Sequence, residues 1–178
     1  MELASQQSLP VAKPQAWEAL NDVELLKQAI PGCESFLPAG ENRYDLVIAA
    51  AVGPVKAKFR SKLQLLDVVA PDSYTMQFDG QGGPAGFGKG TAKVRLEAVA
   101  DGTTMLQYAV HAQVGGKIAQ VGSRLVDMAA QKMAQDFFEN FQAAVVAKYA
   151  PPAVAAAPVR PGLWARLVAA LRRLFGLG

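Results

Sequence analysis

The sequence predicts an α+β domain in which a curved antiparallel sheet closes around one long helix near the C-terminus. Three observations carry this. From about residue 43 to residue 114, apolar and polar residues alternate with period two in segments divided by turn residues. From Lys117 to Tyr149 the chain has no proline and, apart from Gly122, no glycine, and apolar residues recur every four positions. Two short helical segments lie ahead of the strand run.

Glu2 to Val11 reads as a weak opening strand. Pro14 suits the first turn of a helix, and a short helix carrying Trp17 and Leu20 follows. Asn21 or Asp22 can cap a second helix with Val23, Leu25, Leu26, Ala29 and Ile30 on its apolar side, and Pro31-Gly32 stops it. Tyr44, Leu46, Ile48, Ala50 and Val52 then alternate with their neighbours until Gly53-Pro54 turns the chain. Ala57, Phe59, Ser61, Leu63 and Leu65 form the next inward face, with Lys56, Lys58, Arg60 and Lys62 facing outward. Tyr74, Met76 and Phe78 mark another strand, and Ala92, Val94, Leu96 and Ala98 mark the one after it. Asp101-Gly102 leads into a last strand bearing Leu106, Tyr108, Val110 and Ala112. Lys117 to Tyr149 is expected to be a single helix whose row Leu125, Ala129, Met133, Phe137, Phe141, Val145 lies against the sheet. Ala49, Ala50, Ala51, Ala57, Ala92, Ala98 and Ala112 are taken as inward, so the sheet is expected to leave volume that the helix does not fill.

The stretch GQGGPAGFGKGT, Gly80 to Thr91, resembles a phosphate-binding loop, because from Gly83 its spacing is G-x-x-x-x-G-K. Two features exclude that chemistry. The next position is Gly90 rather than a Mg²⁺-ligating Ser or Thr, and the following TAKVRLEA alternates as a strand. A phosphate loop needs a helix there, whose N-terminal N–H groups face the anion. The loop is expected to join two antiparallel strands. It is either a flexible connection or, through close backbone approach, a flank of a cavity mouth. Gly82, Gly83, Gly86, Phe87 and Gly88 are its candidate contact residues.

Composition narrows the function classes. Residues 150–178 hold four arginines and no acid, so 18 basic and 15 acidic residues in the chain become 14 and 15 without them, a net charge of −1. That balance lacks the basic footprint of a nucleic-acid binder. The row Lys56, Lys58, Arg60, Lys62 is ordinarily a solvated outer face; its alternative is a stripe for an acidic partner or anionic lipid. The one cysteine, Cys33, fits a reducing compartment, and with no histidine placed to activate it the thiol reads as structural. His111, the one histidine, falls on the outer face with Gln107 and Gln113. No Cys/His cluster has metal-ligand spacing and no paired carboxylates stand out, so no catalytic machinery is visible. The N-terminus shows no basic and apolar export signal, and no run approaches the ~20 apolar residues that cross a bilayer.

Three units follow: a body at residues 1–149, a Pro/Ala-rich linker at 150–161, and a tail at 162–178. Projected as a helix, Leu163, Trp164, Leu167, Val168, Leu171, Leu174 and Phe175 fall within an arc of roughly 140°, opposite Arg166, Arg172 and Arg173. Aromatic and leucine residues on one side with arginines on the other is the pattern of a helix lying in the membrane surface. Docking of the same stripe on protein is the alternative.

The element order resembles the helix-grip fold of START-like domains and the SRPBCC superfamily. IPGCESF at Ile30–Phe36, GQGGPAGFGKGTAKVRLE, and GGKIAQVGSRLVDMAAQKMAQDFFENF resemble, more narrowly, the CoxG-like family of carbon monoxide dehydrogenase. The likeness covers roughly residues 1–148. It implies an accessory protein of a molybdenum carbon monoxide dehydrogenase, a related hydroxylase or a hydrogenase. It also implies a cytoplasmic location at the inner face of the membrane and a role in coupling the enzyme to quinone. A bound respiratory quinone, menaquinone or ubiquinone, is therefore the expected ligand, with no covalent cofactor and no nucleotide. Its cavity is expected among Leu26, Ile30, Phe59, Leu63, Tyr74, Met76, Phe78, Val94, Leu96, Tyr108, Leu125, Met128, Met133 and Phe137, the methionines adapting to an irregular ligand. A pure recruitment adaptor and a cyclase-like enzyme are the alternatives; the second needs polar groups inside the cavity.

Overall fold

The computed structural model describes residues 1–149; the predicted linker and tail lie outside the described residues. A seven-stranded antiparallel sheet carries the fold. Its strands are β1 (Glu2–Leu9), β2 (Cys33–Pro38), β3 (Arg43–Val52), β4 (Val55–Val69), β5 (Ser73–Gln81), β6 (Phe87–Ala98) and β7 (Thr104–Gly115), in the order β1-β7-β6-β5-β4-β3-β2. Between β1 and β2 come α1 (Lys13–Leu20) and α2 (Val23–Ala29). After β7 come α3 (Lys117–Gln120) and α4 (Ser123–Tyr149).

Local chemistry explains the short helices. The Gln15 side chain accepts from Ala12 N–H at 3.2 Å ahead of α1, and Asp22 Oδ1 accepts from the N–H groups of Glu24 and Leu25 at 3.0 and 3.1 Å. Asp22 is thus the cap, satisfying two of the donors that a helix start leaves orphaned. The expected single helix from Lys117 is in fact two. Gly122 adopts φ +99°, a left-handed conformation, and divides α3 from α4.

Strand register decides which side chains face α4. Lys58 lies opposite Ala49 and Lys56 opposite Ala51, so these two alanines are on the outer face and exposed, contrary to expectation. A run of three alanines has no polar partner by which parity could be read. Lys62 lies opposite both Asp45 and Asp79, and Lys58 pairs with Glu34 at 2.8 Å. Part of the predicted basic stripe is therefore compensated.

The core sits at one end of the sheet. Leu9, Leu96, Leu106, Phe141 and Val145 are fully or almost fully buried there, with α1 and α2 packed against them. Phe137, Phe138 and Phe141 form one aromatic run, and Tyr108 stacks on Phe138 with centroids 5.1 Å apart. Thr104, buried, donates its hydroxyl to Val11 O at 2.8 Å. Polar ties hold the last turns of α4 to the same end: Asn140 Nδ2 donates to Ala29 O, and Gln142 Nε2 donates to Ser8 O.

Lys148 makes the firmest of these ties, donating to Glu18 Oε1 and Asp22 Oδ2, both at 2.9 Å. The ammonium holds both carboxyls below their usual range, and the pair pushes Lys148 well above its own. Depressed folded-state carboxyl values mean stability that is present above the unfolded carboxyl pKa and lost as pH falls through the folded one. The stability gap between the wild type and Lys148→Met should therefore be open near pH 7 and narrow as pH falls below the unfolded carboxyl range of about 4. Urea melts across that range check this; a gap independent of pH would show that the bridges contribute nothing.

Candidate functional site

The predicted site residues divide into three groups. Tyr74, Val94 and Leu96 are buried in the packed core. Tyr74 meets Trp17 edge to face at 5.8 Å, and burial pushes its phenol above the usual range. Tyr74 and Val94 also border an opening of about 540 Å³ whose other walls include Lys93, Arg95 and Gln107. Leu26, Ile30, Phe59, Leu63, Met76, Phe78, Tyr108 and Phe137 face inward yet stay only half-buried. Leu125, Met128 and Met133 are exposed, at 41, 56 and 38%.

The last group corrects an expectation about phase. A row spaced by four advances ~40° per step around a helix of ~100° per residue, so Leu125 lies about 160° from Phe141. The face of α4 in line with Phe141 carries Phe138, Ala134 and Ala130 instead, a 3.6-residue pattern present in the sequence. Leu125 nevertheless lies over the β3–β4 turn, since a Cβ on Gly53 would be 3.6 Å from Leu125 Cδ1.

Beneath that half of α4, the inward side chains of the β3–β4 hairpin are small and incompletely covered. Ile48, Ala50, Val52 and Ala57 point to the helix side and are half-buried, as is Val110 on β7. Sequence alternation marks all five as inward; only the structure shows that the helix leaves them accessible. A second opening, of about 340 Å³, separates the β1 edge from α4 and reaches Tyr108 and Phe138.

The glycine-rich stretch forms the end wall of this region. β5 and β6 take up much of it, leaving Gly82–Gly86 as the connection around one 3₁₀ turn, with Gly82 N–H donating to Gly86 O at 2.7 Å. A Cβ on Gly86 would stand 2.0 Å from Gly115 O, and one on Gly116 would stand 2.4 Å from Gly86 Cα. Both glycines have positive φ, so the loop and the β7–α3 turn clasp each other backbone to backbone. Gly82 rests on the Phe59 ring, where a Cβ would come within 2.5 Å. The loop is packed, with Ala85 and Ile118 buried beside it. Gly83 and the half-buried Phe87 and Gly88 continue it at the surface.

The other chemical candidates lie elsewhere. His111 is exposed on the convex face, its Nδ1 3.1 Å from Glu2 Oε1. Cys33 Sγ donates to Ser35 O at 3.4 Å, and burial raises its pKa, so the thiol stays protonated at neutral pH. Among the described residues no three His, Cys, Asp or Glu side chains come together as a metal site, and no helix is long and apolar enough to cross a membrane.

The family model of the carbon monoxide dehydrogenase G subunit, CoxG, matches residues 6–146. The chain belongs to the CoxG family. A conserved protein from Geobacillus kaustophilus shares 28% identity at TM-score 0.78, over 83% of this chain and 97% of that one. A START superfamily protein from Mycobacterium smegmatis, 11% identical, superposes at TM-score 0.64 over 83% of this chain and 98% of its own. The Zhui aromatase/cyclase from a Streptomyces species, also 11% identical, does so at 0.61 over 82% and 93%. These two likenesses establish the helix-grip, START-like fold. No curated protein matches the chain.

Proposed function

We propose that this CoxG family member is a non-catalytic carrier that holds an apolar molecule between the β3–β4 hairpin and the first half of α4. The reading rests on one observation: Ile48, Ala50, Val52, Ala57 and Phe59 face the helix but remain half-buried. Apolar side chains turned inward and left accessible lose free energy at roughly 25 cal/mol per Å² unless something covers them. A bound apolar ligand would cover them. Among the described residues, His111 lies on the outer face, and the protonated Cys33 thiol, opposite Ile48 in the β2–β3 register and so on the same side as this region, has no histidine beside it to activate it, which favours a carrier over an enzyme.

The family supports the finer reading. The ligand is a respiratory quinone, with its isoprenoid chain against the small hairpin residues. The partner is a molybdenum carbon monoxide dehydrogenase, a related hydroxylase or a hydrogenase, recruited to the inner membrane face with the 162–178 segment as anchor. Purification of the full chain from its native host, followed by solvent extraction and mass spectrometry, tests ligand and partner together. Recovery of a quinone and an oxidoreductase is expected. A lipid-free protein that also takes up no menaquinone or ubiquinone analogue would overturn the carrier reading.

A further inference from the structure

The antiparallel topology sorts the loops of the body into two ends. The β3–β4 turn, the Gly82–Gly86 loop, the β7–α3 turn and the start of α4 share one end; the β4–β5 and β6–β7 turns and α1 share the other. Charge follows this division. The first end carries exposed Lys56, Lys58, Arg60, Lys89, Lys117 and Arg124, of which Lys58 is paired with Glu34 and Lys89 lies opposite the exposed Asp79. The second carries exposed Glu18, Glu41, Asp67, Asp72 and Asp101; of the cations there, Lys13, Lys148 and Arg95 are bridged to carboxylates, which leaves the exposed Arg43 at the start of β3. A body with a net charge near zero is thus a dipole, basic at the end where α4 starts.

Both ends bear exposed apolar side chains, Leu37, Val68, Val69 and Val99 at the acidic one, but only at the basic end do they stand among cations. Leu125, Met128 and Met133 stand on α4 beside Arg124, and the hairpin tip below them is Val52-Gly53-Pro54-Val55. Apolar residues that protrude within a ring of cations match a surface of fixed negative charge over hydrocarbon. An acidic protein would match the cations but gives no comparable reason for methionine and leucine to stand in water.

We infer that this basic end of the body is itself a docking surface for an anionic lipid bilayer, with Leu125, Met128 and the β3–β4 tip entering the headgroup layer. The surface is separate from the tail, and it does not depend on which molecule the groove holds. The chain length permits both contacts at once. α4, with 27 residues, is ~40 Å long, and its last turn sits at the acidic end. Twelve residues at ~3.1 Å each span at most ~37 Å, comparable to the length of α4, so chain length alone does not prevent residues 162–178 and the basic end from meeting one membrane. The acidic end then points away from the lipid, and repulsion there enforces the orientation.

The test uses the full chain with Cys33→Ser and an environment-sensitive fluorophore on Met128→Cys, compared with the same label on Val69→Cys at the acidic end. Vesicles of phosphatidylglycerol and phosphatidylcholine should blue-shift and brighten the label at position 128 and leave that at 69 unchanged. Pure phosphatidylcholine should do neither. Combining Lys56→Gln, Arg60→Gln and Arg124→Gln should weaken docking of this end on the order of 100-fold, while pelleting through the tail persists. No response at 128 overturns the proposal, whether or not the protein pellets. Failure of the anchor shows separately, as loss of pelleting. A response that appears only on adding the oxidoreductase would assign the surface to protein instead.

Discussion

Replacing Phe141 with alanine should lower the stability of the body by about 3–5 kcal/mol. The ring is fully buried, stacks on Phe137 at 5.5 Å, and belongs to the core where α4 meets the sheet. Alanine keeps the helix intact, so the loss is one of packing and cavity formation rather than of helix propensity. For a body of this size the melting temperature should fall by roughly 10 °C. Leu125→Ala supplies the contrast: at 41% exposure it should change stability by less than about 1 kcal/mol. Urea and thermal melts of the two variants check the claim. Similar losses would mean that the first half of α4 is as tightly held as the second.

The second large effect is on ligand uptake. Ala57 lies opposite Ala50 in the β3–β4 register, faces the helix, and is half-buried. Phenylalanine there should occupy the space assigned to the ligand and cut uptake of a quinone analogue at least about tenfold, a loss of about 1.4 kcal/mol. Thermal stability should stay close to the wild type, because Ala57 is half-buried and not part of the packed core. Ala92 would be a poor choice for this test. It is 3% exposed and lies between Met76 and Val110 in the register, so a larger side chain overpacks the core at about 1–3 kcal/mol. Normal uptake by a stably folded Ala57→Phe protein would remove the hairpin region as the binding site.

Much of this architecture is legible because strand parity announces itself. β4 alternates Lys56, Lys58, Arg60 and Lys62 with Ala57, Phe59, Ser61 and Leu63, and each side chain lies on the face that alternation assigns. The cap is legible to within one position, since Asn21 and Asp22 both suit it, and the structure selects Asp22, whose Oδ1 accepts from the N–H groups of Glu24 and Leu25. Where the chain offers no contrast, sequence reasoning fails. Ala49-Ala50-Ala51 has no polar contrast of its own; parity carried over from Tyr44, Leu46 and Ile48 points Ala50 inward, and the opposing lysines of β4 place Ala49 and Ala51 outward. Gly122 could pass as a tolerated helix glycine, whereas its left-handed backbone ends α3.

The candidate site is less legible than the fold. Ile48, Ala50, Val52, Ala57 and Phe59 can all be named as inward, but whether α4 covers them depends on tilt, and composition is silent about tilt. An apolar row followed along α4 at a spacing of four drifts off the packed face, which makes Leu125 and Met128 look internal. Their exposure moves them from the lining of a cavity to its rim. The clasp of Gly86 on Gly116 has no sequence signal beyond the glycines themselves.

The pairing of β1 with β7 has a consequence for how the chain acquires its shape. Among the described residues, residues 2–9 find their only strand partners at residues 104–111, whereas β3 to β7 each pair with the strand just before them. During synthesis at ~5–20 residues per second, the first strand therefore waits on the order of 5–20 s for its neighbour to be made. A meander of hairpins can form in that interval, but the buried Leu9 has no β7 against which to pack. The polar, sparsely apolar sequence ELASQQSL suits a segment that must stay in solution unpaired without seeding association. Closure of β1 onto β7, followed by α4, should thus be the late event in folding, and the strand's weak hydrophobicity is what makes the delay tolerable.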